Sequence, residues 1–289
     1  MKLYHRIVQT LHNAYSEREA SALARWICEE HFGLSQTDIL LDKDNHLSAD
    51  SLAEAEEIIE RLLRHEPIQY ILGEVDFCDH RFHVGPGALI PRPETEELVF
   101  HILRSIHKDS PKILDIGTGT GCIALSLALA LPEARVTAWD ISEEALSIAR
   151  SNGNRYPEAH VEFACRDILL PASDNRQWDI IVSNPPYICE YEAKDMAPNV
   201  LDYEPWTALF VPDDDPLLFY KAIVCFASTH LTTKGILWLE INEAFGTEIA
   251  YFIEKKGFRN VEIFKDLHGK DRMVRCESGT TIAKEQDFA

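Results

Sequence analysis

Asn184-Pro185-Pro186-Tyr187 is the stretch whose residue types speak most directly of chemistry. It follows Trp178-Asp179-Ile180-Ile181-Val182-Ser183, an apolar run with strand character. Neither proline has an N–H to donate to a ladder, so the strand must end there. The turn then offers one amide side chain, two backbone carbonyls and an aromatic ring. In an open α/β sheet, ligands bind at the carboxyl ends of strands. These groups accept hydrogen bonds and provide a flat stacking surface. They suit a substrate that brings a planar NH2 group, and they include neither a nucleophile nor a metal ligand.

Upstream, Lys112-Ile113-Leu114-Asp115-Ile116 reads as a buried parallel strand, Gly117-Thr118-Gly119-Thr120-Gly121 as a tight loop, and residues 122–130 as a helix. Strand, glycine loop and helix open a nucleotide-binding βαβ unit. Glycine lets the backbone turn tightly and approach a ligand closely. The next strand, Arg135-Val136-Thr137-Ala138-Trp139, ends at Asp140, whose carboxylate can accept hydrogen bonds from ribose hydroxyls. One glycine loop is as often an ordinary strand-to-helix turn. Loop, Asp140 and the Asn-Pro-Pro-Tyr turn, in order on successive strands, argue together for a ligand site. Dinucleotide folds use G-x-G-x-x-G, where a helix N-terminus meets a pyrophosphate. Here the glycines alternate and Asp115 precedes them. The pattern resembles the first motif of class I S-adenosylmethionine-dependent methyltransferases. The sulfonium and ammonium of that cofactor suit a carboxylate such as Asp115; NAD binding is the alternative.

Two domains are expected from 289 residues, 46% of them hydrophobic. No apolar run approaches the roughly 20 residues that span a bilayer, and the N-terminus lacks a signal-peptide core. The seven cysteines are scattered without a CxxC pair, which predicts reduced thiols in a cytoplasmic protein and no structural metal site. A net charge of −20 opposes nucleic-acid binding and favours a basic protein partner.

Residues 1–72 read as a small helical domain, a candidate for substrate recognition. Ser16 with Glu19 and Ser51 with Glu54 look like capping boxes, and Pro67 like a helix stop. Residues 73–90 suggest a β-hairpin linker around Cys78-Asp79-His80. His80 and His83 there lack a third ligand and read as exposed hairpin positions. From residue 91 to the end the chain alternates strands and helices, with a first helix expected from Glu97. Further strands are expected over residues 160–164, 178–183, 235–241, 258–264 and 272–276. Together these predict a mostly parallel sheet of about seven strands, covered on both faces, with an antiparallel last strand.

Several segments resemble one family over nearly the whole length: the bacterial release factor glutamine methyltransferases. They are Pro67-Ile68-Gln69-Tyr70-Ile71-Leu72-Gly73, Leu89-Ile90-Pro91-Arg92-Pro93-Glu94-Thr95-Glu96 and the glycine loop, then Asn184-Pro185-Pro186-Tyr187-Ile188, Tyr203-Glu204-Pro205 and Lys265-Asp266-Leu267-His268-Gly269-Lys270-Asp271-Arg272. The Asn-Pro-Pro-Tyr turn alone is shared with adenine amino-methylating enzymes. The segment from Ile90 to Glu96, behind a helical domain and a hairpin, is much more specific.

The resemblance implies a Rossmann-like methyltransferase domain and methylation of the glutamine side chain in the Gly-Gly-Gln motif of peptide chain release factors. It implies S-adenosyl-L-methionine as cofactor, held by Asp115, Gly117, Thr118, Gly119, Thr120 and Gly121, with Asp140 on the ribose and Asp167 and Ile168 beside the adenine. Asn184 would touch both cofactor and substrate, and Pro185, Pro186 and Tyr187 would complete the substrate site. It further implies a protein active as a monomer, while the charge and the lack of a long apolar run predict no direct nucleic-acid or membrane contact. The expected mechanism has the Asn184 side-chain oxygen and the Pro185 carbonyl each accept one N–H of the substrate amide, with Tyr187 packed against it. Two alternatives stand beside this: an adenine amino-methyltransferase, opposed by the charge, and a scaffold that binds release factors without turnover.

Overall fold

The computed structural model describes residues 2–41, 43, 47–171 and 175–279. They divide into two compact units. One holds the chain up to Gly73 together with Ala197–Tyr203, and the other holds the remainder from Glu74 onward.

The first unit contains α1 (Leu3–Leu11), α2 (Glu17–Trp26), α3 (Gln36–Leu40), α4 (Ala49–Leu63) and α5 (Ile68–Leu72). Apolar residues at helical spacing build its core: Leu3, Ile7 and Leu11 from α1, Ala20 and Ala24 from α2, and Ile58, Ile59 and Leu62 from α4. Ser16 caps α2 by accepting from the Glu19 N–H at 3.3 Å. The second expected cap lies one turn earlier than the sequence suggested. Ser48, not Ser51, caps α4, because its Oγ accepts the Ser51 N–H at 3.0 Å. Pro67 opens α5 rather than ending α4. The short helix α9 (Pro198–Leu201) belongs to this unit.

In the second unit a hairpin, β1 (Glu74–Phe77) and β2 (His80–His83), turns on Cys78 and Asp79, both at positive φ. It is no free linker: Phe77 and Phe82 are buried in the same core as α6 (Pro93–Ser105) and α7 (Cys122–Ala130). Helix α6 begins four residues before the expected Glu97. Pro93 fits the first helical position, where its missing N–H is no loss.

The main sheet comprises β3 (Lys112–Ile116), β4 (Arg135–Asp140), β5 (Val161–Cys165), β6 (Trp178–Ser183), β9 (Leu231–Glu240), β10 (Arg259–Lys265) and β11 (Asp271–Glu277); between β6 and β9 in the chain lie α10 (Trp206–Leu209) and two short strands, β7 (Ile188–Cys189) and β8 (Phe210–Val211), that pair only with each other. Its order is β10-β11-β9-β6-β3-β4-β5. Strands β5, β4, β3, β6 and β9 run parallel, and β11 runs antiparallel between β9 and β10. Alternation along each strand feeds two cores. Ile113, Ile180 and Val182 pack under α6 and α7, whereas Leu114, Ile181 and Leu237 pack against α11 (Leu218–His230) and α12 (Gly246–Lys255). No helix among the described residues is long and apolar enough to cross a membrane.

Candidate functional site

The direction of strand order reverses between β3 and β6. These two are paired in parallel, with Ile116 opposite Ser183. The glycine loop leaves the end of β3 and the Asn184-Pro185-Pro186-Tyr187 corner leaves the end of β6, side by side at the switch point where open sheets bind ligands. The Ser183 hydroxyl donates to the Ile116 carbonyl at 2.6 Å and ties the two strand ends together. A Cβ placed on Gly117 would lie 3.9 Å from the Asn184 carbonyl oxygen, so loop and corner approach closely.

A cavity of about 410 Å³ opens there. Gly117, Thr118, Gly119 and Thr120 line it, with Asp140, Asp167, Ile168, Asn184, Pro185 and Pro186. Gly119 has φ +56°, and a Cβ built on it would meet no atom within 4 Å, which leaves its backbone open to a ligand. Asp140 Oδ2 accepts the Gly119 N–H at 2.8 Å and Oδ1 accepts the Ser142 N–H at 2.9 Å. Each carboxylate oxygen keeps a lone pair for a ligand hydroxyl. Burial pushes the Asp140 carboxyl above its usual range, and those backbone N–H groups restrain the rise. Asp167 Oδ1 accepts the Leu169 N–H at 2.8 Å, which holds the loop carrying Ile168 against the cavity.

Three expected site residues are not on the cavity wall. Asp115 is sealed beneath the loop at 0% exposure; its Oδ2 accepts from the Thr118 hydroxyl, and its Oδ1 has no hydrogen-bond partner among the described residues. Gly121 caps α7, and a Cβ there would press to 3.2 Å of Ala149 Cβ on α8 (Glu143–Arg155). Its glycine serves close helix packing rather than ligand contact. Tyr187 does not face the cavity as the stacking role required. Its ring packs into the core beneath α11, and its hydroxyl donates to Glu240 Oε1 at 3.1 Å.

The corner is held by Thr95, which lies in a motif segment already noted, and by Glu240 and Asn242, which the sequence reading did not single out. Asn184 Nδ2 donates to Thr95 Oγ1 at 3.1 Å, and the Thr95 hydroxyl donates to Glu240 Oε2 at 2.7 Å. Asn242 Nδ2 donates to the Tyr187 carbonyl at 3.1 Å. Burial pushes the Glu240 carboxyl upward, while the Thr95 and Tyr187 hydroxyls and the nearby Arg272 guanidinium favour its ionised form. Glu204 accepts from the Ile90 N–H and from Arg92 Nη2, fastening the segment that leads into α6. Asn152 joins hairpin to loop: it donates to the His83 and Thr120 carbonyls at 3.0 and 2.9 Å. Glu240 and Asn242 stand at or just past the end of β9, where the same strand-end rule that singled out Asp140 and Asn184 would have found them.

The cavity wall fits an adenosyl methyl donor: open glycine backbone, an acidic strand end with spare lone pairs, and Ile168 as an apolar face. Among the described residues no cluster of three or more His, Cys, Asp and Glu is placed to hold a metal ion. A parallel sheet with its antiparallel strand in this position, and this loop and corner at its switch point, defines a Rossmann-like methyltransferase. The methyltransferase from Pyrococcus furiosus shares the fold, at 21% identity and a TM-score of 0.52 over 69% of this chain and 89% of that one. So does the T. thermophilus 16S rRNA N2 G1207 methyltransferase, solved with AdoMet and guanosine, at 17% identity and a TM-score of 0.53 over 71% of this chain and 49% of that one.

Family models for the PrmC N-terminal domain and the methyltransferase small domain match residues 2–73 and 95–201. The release factor glutamine methyltransferase of Bacteroides thetaiotaomicron is 49% identical over 93% of this chain and 96% of its own length. That of Flavobacterium psychrophilum is 43% identical over 93% and 95%. The chain belongs to the release factor glutamine methyltransferase family.

Proposed function

We propose that the protein uses S-adenosylmethionine to methylate the side-chain nitrogen of the glutamine in the Gly-Gly-Gln motif of peptide chain release factors. The observation that carries this reading is the corner itself. Asn184 spends its Nδ2 on Thr95, while Oδ1 is not sealed from solvent and has no partner among the described residues. An acceptor is therefore presented in the cavity beside the glycine loop.

An amide nitrogen is a poor nucleophile, because its lone pair is delocalised into the carbonyl. Asn184 Oδ1 and the Pro185 carbonyl accept its two N–H bonds, which fixes the plane of the amide and offsets part of the lost resonance. Asp140 would accept from the ribose hydroxyls, and Asp167 and Ile168 would flank the base. When bound, the cofactor would supply an electrophilic sulfonium methyl group, its S–CH3 bond breaking as the N–CH3 bond forms and S-adenosyl-L-homocysteine leaving. Holding two reactants in line contributes up to about 7–11 kcal/mol of barrier lowering. The surplus proton of the methylated nitrogen leaves to solvent.

The test is to incubate the protein with labelled S-adenosylmethionine and either a release factor or nucleic acid, then to locate the label by mass spectrometry. The reading expects label on the glutamine. Label on adenine, or none on either, would overturn it.

A further inference from the structure

Asn184 and Tyr187 begin and end the same tight corner, and both lead to one carboxyl group. Tyr187 reaches Glu240 Oε1 directly, at 3.1 Å, and Asn184 reaches Oε2 through the Thr95 hydroxyl. Thr95 and Glu240 are both buried, with 3% and 1% exposure, so water does not substitute freely for these partners.

Counting hydrogens fixes the direction of this chain. A hydroxyl has one hydrogen to give and two lone pairs to accept with. The Thr95 hydrogen is drawn to the Glu240 carboxylate at 2.7 Å. Toward Asn184, Thr95 then presents only lone pairs. The carboxamide meets it with Nδ2–H, since a flipped amide would set two acceptors 3.1 Å apart. The two ends of an asparagine amide are nearly equal in shape. What distinguishes them here is the direction of the Thr95 hydroxyl, whose hydrogen goes to Glu240 Oε2.

Resting on the function proposed above, we infer that Thr95 and Glu240 are positioning residues that lock the Asn184 carboxamide with Oδ1, not Nδ2, toward the substrate amide. Flipped, Asn184 would point N–H at N–H and repel the nitrogen it must align. The cavity would still bind both reactants but would orient one of them poorly.

Thr95→Val keeps the shape and removes the relay, whereas Thr95→Ser keeps the hydroxyl. Glu240→Gln places an NH2 among the groups facing the two hydroxyls and lets Thr95 turn its own hydrogen toward Asn184. Steady-state methylation of a release factor should show kcat lowered on the order of 10²-fold in Thr95→Val and in Glu240→Gln, with KM little changed and Thr95→Ser near wild type. The double variant should lose no more than either single one. Calorimetry should give unchanged affinity for S-adenosylmethionine. Normal kcat in Thr95→Val, a loss confined to KM, additive losses in the double variant, or failure of Thr95→Ser to restore turnover would each overturn the inference. If Thr95→Val does not fold, Glu240→Gln against wild type decides the same question. A wild-type protein that leaves release factors unmethylated would remove the functional reading itself; an active wild type with an unaffected Thr95→Val would remove this inference alone.

Discussion

Asp115 carries a buried carboxyl that burial pushes up to about 7. A folded-state value above the ordinary 3.8 means that the fold prefers the neutral acid, while the unfolded chain ionises first. The stability it contributes is present at low pH and is lost as pH rises from about 3.8 to about 7. At about 1.36 kcal/mol per unit this amounts to at most about 4 kcal/mol. Asp115→Asn should therefore gain stability relative to wild type across that window, measured by urea unfolding at a series of pH values. A difference that does not change with pH would contradict the assignment. At this scale the sequence showed the groups carried by local motif. Two prolines exposed Asn184, and alternating glycines exposed the loop. Thr95 lay inside a motif segment and Glu240 at a strand end, but their pairing across 145 positions showed no local signal, because a buried carboxylate is recognisable only once the hydroxyls that satisfy it are in place. Tyr187 was misread for the related reason that an aromatic beside a candidate site looks like a stacking surface until its burial is known.

Elements with strong periodicity were legible: β3, β6 and α7 have the bounds that the sequence suggested. The errors cluster at ends. Two serines, Ser48 and Ser51, lie three residues apart near the start of α4, and by residue type either could cap it. The structure selects Ser48 because its backbone is extended at φ −71° and ψ 165°, as a cap requires, while Ser51 already lies inside the helix. Ser48→Ala should cost about 1 kcal/mol of stability, and Ser51→Ala clearly less. Thermal or urea unfolding of the two variants checks this, and equal costs would contradict the assigned start. Strand β9 begins at Leu231, earlier than the expected 235, because the polar Thr232, Thr233 and Lys234 hid its first residues. The hairpin's place in the core of the larger unit was not readable either, since Phe77 and Phe82 stand in a short run with Asp76, Asp79, His80, Arg81 and His83.

Across the whole molecule the dominant feature is a net charge of −20. A field of that sign attracts basic surfaces and repels phosphate backbones, and salt screens it over a Debye length of about 8 Å at physiological ionic strength. The KM for a release factor should rise with ionic strength while kcat stays level. A KM insensitive to salt would show that charge does not guide the encounter. The account rests on the Asn184 oxygen as the acceptor that aligns the substrate nitrogen, and a single-turnover comparison of wild type with Asn184→Ala tests this most directly. With both reactants saturating, methyl transfer to the release factor should slow on the order of 10²–10³-fold in a variant that unfolds at the same denaturant concentration as wild type. Transfer at a near-normal rate would contradict the account.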